Sequence, residues 1–124
     1  MATISKFEDL DAWKRARELA NMVYDFAKSG PLARDFGLRD QIQRSAVSVM
    51  SNISEGFERD TTPDFIHFLF IAKGSAGELR SQLYLARDQE LITQDQFDSA
   101  MALCHRTSHL LSKLISYLKG KLQK

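Results

Sequence analysis

The chain has few of the residues that staple or break a fold. Its one cysteine in 124 residues, Cys104, cannot form an internal disulfide, which suits a reducing compartment. There are two prolines, both where a helical pattern stops or starts. No apolar run approaches the length of a membrane span, and the opening MATISKFEDLDAW has no apolar core of a signal peptide. A cytoplasmic chain without export is therefore expected. Neither charge sign dominates: 17 basic and 16 acidic residues leave a net +1, which gives no global attraction to nucleic acid. Linkers, internal repeats and low-complexity stretches are lacking too. The length suits one domain, residues 1–124, able to bury a core without disulfides or metals.

What is present is helical period. The stretch Gln41 to Arg59 is the centre of the pattern. Ile42, Ala46, Val49, Met50 and Ile53 recur at core spacing. Gln41, Ser45, Ser48, Asn52 and Glu55 form a second, polar stripe, roughly 110° around the helix at ~100° per residue. Ser and Asn are poor helix formers, so a stripe of them predicts close approach by a neighbouring helix or a polar site.

Four helices are predicted. The first runs from Glu8 or Asp9 to Ser29, with Ser5 and Glu8 as a capping box or Asp9 as the cap. Trp13, Ala16, Ala20, Val23 and Ala27 face inward, and Leu19 and Phe26 lie off that stripe. After a Pro31–Gly37 connection, the second helix spans Leu38 to Ser54, with Gly56 as its stop. Thr62 caps the third, Pro63 takes its first position, and it continues to about Gln89. Phe65, Phe68, Leu69, Ala72, Ala76, Leu79 and Leu83 share one face of it. Ile66, Phe70, Ile71 and Leu85 do not, which predicts burial on a second side, against another subunit. Thr93 and Gln96 form a capping box for the fourth helix, with core positions from Phe97 to Leu118 and an end at Gly120. The run IHFLFIAK could pass for a strand, but it lies inside a long helical period. Short connections make the fold all-α, an antiparallel up-down four-helix bundle.

Candidate chemistry is sparse. His105 and His109 have the spacing of a metal pair, yet lie off the core stripe with no supporting Glu; no metal or other cofactor is expected. Glu55 and Glu78 could meet as a carboxylate pair, or pair with Arg44, Arg59 or Arg80 and set helix register. The serines sit in no nucleophile elbow. Gly74-Ser75-Ala76-Gly77 is more a close-packing patch than a phosphate cradle, against the Ser45–Ser48–Asn52 stripe or a second subunit. From Arg106 onward there is no acidic residue, only Arg106, Lys113, Lys119, Lys121 and Lys124. That end reads either as a solvated helix terminus or as a basic surface that meets phosphate.

The run QIQRSAVSVMSNISEGFER followed by DFIHFLFIAKGSAGELRSQL resembles the bacterial four-helix-bundle family first noticed as products of intervening sequences in 23S ribosomal RNA genes. FEDLDAWKRARELANMVYDF and DFGLRDQIQRSAVS extend the likeness over nearly the whole chain. The resemblance implies a ring-like homo-oligomer, commonly a pentamer. It reaches the accessory protein of diversity-generating retroelements, a basic pentamer that works with a reverse transcriptase and nucleic acid; this chain departs from it in charge. No catalytic residues come with the likeness. Arg44, Asn52, Glu55, Gly56, Gly74 and Glu78 match characteristic positions, with an architectural role implied. The expectation is a non-enzymatic, cytoplasmic homo-oligomer that binds RNA or an RNA-associated protein, with a protein-interaction scaffold and, remotely, a Glu55–Glu78 carboxylate enzyme as alternatives. No small-molecule substrate is expected. Arg106, Lys113, Lys119 and Lys121 form the expected nucleic-acid surface. Arg44, Ser48, Asn52, Glu55, Gly74 and Glu78 form a structural seam, and Ile66, Phe70 and Leu85 an oligomer interface.

Overall fold

The structure is a computed structural model and describes residues 4–123. Helices α1 (Asp11–Phe26), α2 (Pro31–Arg34), α3 (Phe36–Phe57), α4 (Thr62–Asp88) and α5 (Gln94–Leu122) follow one another, with no strand among the described residues. The four long helices form a helical bundle in which α1 packs on α3, α3 on α4, α4 on α5 and α5 on α1. Their apolar stripes fill two core clusters. One gathers Leu19, Val23, Leu32, Ile42, Leu79, Leu83, Phe97 and Cys104; the other gathers Leu10, Val49, Ile53, Ile66, Leu69, Leu111, Ile115 and Leu118. Each fully buried Leu or Ile contributes about 1.5–3 kcal/mol. The core is therefore mostly aliphatic.

The helix boundaries depart from the sequence expectations at several points. Glu8 and Asp9 belong to a short 3-10 turn, Phe7–Asp9, and α1 starts at Asp11 after Leu10, with no side-chain cap. The reason is packing: Leu10 is buried, and Phe7 meets Trp13 edge-on at 5.2 Å, which folds the segment back. At its other end α1 stops at Phe26, short of Ser29. Gly30 takes a φ of +77°, a left-handed conformation that glycine adopts without cost, and Leu32 anchors the short α2 in the core. Leu19, placed off the inward stripe of α1, is fully buried with Ala12 and Ala16.

Helix α3 begins at Phe36 because Asp35 caps it, its Oδ1 accepting from the Leu38 amide at 3.1 Å. Gly56 does not stop it. It lies inside the last turn, where an added Cβ would come within 2.7 Å of Phe68 Cβ. Glycine is needed there for close approach of α4. Thr61, one residue before the expected cap, accepts from the Asp64 amide at 3.2 Å and starts α4, with Pro63 in the first turn. The Thr93–Gln96 capping box is formed as expected, with bonds of 2.9 and 3.0 Å. Gly120 lies within α5.

Helix α4 ends on a left-handed residue that is not glycine. Glu90 has φ +59°, and the Leu91 amide reaches back to the Ala86 carbonyl at 2.8 Å. This is the reversal for which glycine is the usual residue.

Two substitutions check these packing and backbone arguments by urea denaturation. Gly56→Ala is expected to lose about 1–3 kcal/mol, since the neighbouring atom is close to the α4 backbone and cannot swing away. Glu90→Gly is expected to gain about 0.5–1 kcal/mol, the left-handed cost removed less the added chain entropy.

Candidate functional site

Helices α3 and α4 make the closest polar contact in the bundle. Ser48 Oγ and Ser75 Oγ lie 2.8 Å apart, and Asn52 Nδ2 donates both to the Ser48 carbonyl at 2.8 Å and to Ser48 Oγ at 3.0 Å. Ser75 is buried, and Ser48 and Asn52 are half-buried. Short side chains let the two helices approach, and their mutual hydrogen bonds satisfy groups that would otherwise be costly to bury. Ser48 of the polar stripe thus meets α4, and Asn52 braces it from its own helix.

Beside this contact the helices part into a groove of about 420 Å³. Gln41, Arg44, Ser45 and Ser48 form its α3 wall, and Ser75, Glu78 and Gln82 form its α4 wall. The polar stripe of α3 is therefore half seam and half groove. Gln82 was not legible as part of it, although Ser75, Glu78 and Gln82 at steps of three and four fall on one side of α4. Its amide oxygen is shut from solvent and has no hydrogen-bond partner.

The other seam expectations are corrected. Arg44 and Glu78 are exposed at the groove, and neither forms an ion pair among the described residues. No buried Arg–Glu pair sets the register of α3 on α4. Glu55 instead accepts from Arg59, one turn on in its own helix region, at 2.8 Å, and it does not line the groove that holds Glu78. The Glu55–Glu78 pair is not assembled. Gly74 is exposed, and an added Cβ would meet nothing within 4 Å, so it takes no part in the α3–α4 contact.

The expected interface residues of α4 divide. Ile66 is only 8% exposed and belongs to the core of its own chain. Phe70 and Leu85 are 46% and 49% exposed, joined by Ile71 and Tyr84. Between Phe65 and Leu85 the exposed positions of α4 include just two charges, Lys73 and Glu78. That outward face is unusually apolar for a solvated helix.

The basic residues of α5 also divide. Arg106, Lys113, Lys119 and Lys121 are all exposed, and Lys124 lies outside the described residues. Lys119 leans toward α4, its Nζ 5.0 Å from the Phe70 ring, while Lys113 lines a groove of about 330 Å³ with Asp9 and Asp11 on the α1 side. Lys121 lies over Tyr117. Lys113 and Lys119 therefore meet different neighbours, the α1 side and α4. His105 and His109 are exposed, and among the described residues no group of three His, Cys, Asp or Glu is placed to hold a metal ion.

Cys104 is buried, and burial pushes its thiol up from about 9 to about 12, with Arg80 pulling weakly the other way. The thiolate, the nucleophilic form, is therefore scarce at neutral pH.

The family described as 23S rRNA-intervening sequence protein matches residues 8–113. A crystal structure of a protein of unknown function from the S23 ribosomal protein family, from Bacteroides thetaiotaomicron VPI-5482, is similar to the chain with a TM-score of 0.77 and 29% identity, over 84% of this chain and 97% of that one. No curated protein matches the chain.

The buried thiol yields a pH prediction. A folded pKa of about 12 against an ordinary value of about 9 means the folded state keeps a proton that the unfolded chain releases in that range. Its stabilising share is complete below pH ~9 and declines as pH rises toward ~12. Denaturation midpoints across this range should fall less steeply in Cys104→Ala than in the unmodified chain. Iodoacetamide at pH 8 should label Cys104 slowly in buffer and quickly in urea.

Proposed function

The chain belongs to the 23S rRNA-intervening sequence protein family, and from that premise we propose that it is a non-enzymatic scaffold, an antiparallel up-down four-helix bundle that associates with copies of itself. The observation that carries this reading is the outward face of α4, where Phe70, Ile71, Tyr84 and Leu85 are exposed around Gly74. A mid-helix glycine costs about 1 kcal/mol relative to alanine, and nothing in its own chain uses the space it leaves. A helix of a second copy laid on this face would use that space and cover the apolar side chains. The ring-like pentamer implied by the family resemblance is one closed arrangement of such a contact. The short connections and the order of packing, α1 to α3 to α4 to α5 and back to α1, support the up-down topology.

The cargo of the assembly is RNA or a protein held on RNA, and its place is the cytoplasm. The family name and the S23 ribosomal protein family of the similar structure support the RNA link. No helix among the described residues is long and apolar enough to cross a membrane. The division of Lys119 from Lys113 favours a second reading, a protein-binding scaffold, because phosphate binding draws on basic side chains gathered on one surface. Symmetric copies can bring separate patches together, so the two readings part only at the assembly.

Sedimentation velocity tests the assembly. The unmodified chain is expected to sediment as an oligomer, and Leu85→Glu or Phe70→Glu as a monomer with helical circular dichroism retained. A monomeric unmodified chain overturns the reading. For the RNA cargo, affinity should drop steeply between 50 and 200 mM salt, by about tenfold or more for a handful of phosphate contacts. The double change Arg106→Glu, Lys113→Glu should weaken it further. Flat salt dependence would favour the protein scaffold.

A further inference from the structure

We propose that the groove between α3 and α4 binds a small zwitterion of the α-amino-acid class, with its ammonium group on the α4 wall and its carboxylate on the α3 wall. The two walls differ in chemistry. On α4, Glu78 presents a carboxylate, and Gln82 one turn later carries an amide oxygen that has no hydrogen-bond partner and no access to solvent. The carboxylate is an acceptor, and an ammonium group brings three donors to it. The Gln82 oxygen is shut from solvent, so the exposed Glu78 carboxylate is the acceptor open to the ammonium group. On α3, Arg44 presents the forked donors that match a carboxylate, with the Ser45 hydroxyl and the Gln41 amide on the same wall.

The charges are opposite, share one groove and do not pair with each other or with any described neighbour. A ligand carrying only one charge would satisfy one wall and leave the other. The floor is already organised, since Ser48 and Ser75 hold one another and Asn52 holds Ser48. A volume of about 420 Å³ lies within the span of small-molecule sites, roughly 300–1,000 Å³. No aromatic ring lines the groove, which removes the stacking surface that a nucleobase would need. No large apolar side chain lines it either, so an oily ligand gains little there.

Saturation-transfer difference NMR on the full chain tests this, because it reads weak binding whatever the state of assembly. The methyl signals of L-alanine, acetate and methylamine serve as three parallel probes at neutral pH. L-Alanine is expected to give a saturable signal at least tenfold stronger than either single-charge probe. Glu78→Gln and Arg44→Met should each weaken L-alanine binding at least tenfold while keeping the melting temperature of the unmodified chain, because both side chains are exposed and unpaired. Equal signals from acetate or methylamine would overturn the proposal, as would no saturable L-alanine signal or unchanged binding in both variants. Sedimentation reports the assembly separately, so failure here leaves the scaffold reading standing on its own result.

Discussion

The close contact of α3 with α4 governs the rest of the molecule. Two hydroxyls, those of Ser48 and Ser75, bridge the helices where a Leu or Lys would hold them apart, Asn52 braces Ser48 from its own helix, and Gly56 lets Phe68 sit directly on the α3 backbone. Such contacts add little net energy each, about 1 kcal/mol per hydrogen bond. Their effect is geometric. Once α3 and α4 are fixed at short range, Val49, Ile53, Leu69 and Ala76 interlock at one end and Ala46, Leu79 and Leu83 at the other. α1 and α5 then cover the two clusters.

The same closeness explains where polar chemistry can sit. A helix pair drawn together along one line must part on either side of it, and the opening beside Ser48 and Ser75 is the groove that holds Arg44, Glu78 and Gln82. It also turns a second face of α4 outward. That face keeps Phe70, Tyr84 and Leu85 in solvent although Ile66 is drawn into the core. The polar groove and the apolar face are therefore neighbouring consequences of one packing arrangement, and they offer different things: one opposite charges, the other area.

Much of the helical architecture could be read in advance because periodicity reports burial directly. The core positions of α3 and of α5, the polar stripe of Gln41, Ser45, Ser48 and Asn52, and the Thr93–Gln96 cap were all legible, each set by residues within a turn or two of one another. The misplacements share a cause. Ser5 and Glu8 looked like a cap, but Phe7 packing on Trp13 outweighs a hydrogen bond at a chain end. Ile66 looked outward because its place on the helix lies between the core and the outer face; which way it goes depends on where α5 sits. Gly56 and Gly74 are alike in sequence terms, yet one is pressed against Phe68 and the other faces open space.

By itself the sequence determined the all-helical class, most of the residues that fill the core, and the family, because local spacing and side-chain size carry that information. Only the tertiary structure decided that Glu55 stays away from the groove that holds Glu78, that Lys113 and Lys119 part to opposite neighbours, and that Gln82 joins Arg44 at one groove. Each of these depends on the distance and rotation between two helices. Those are set by the sum of many contacts along both, and no short stretch of chain encodes them.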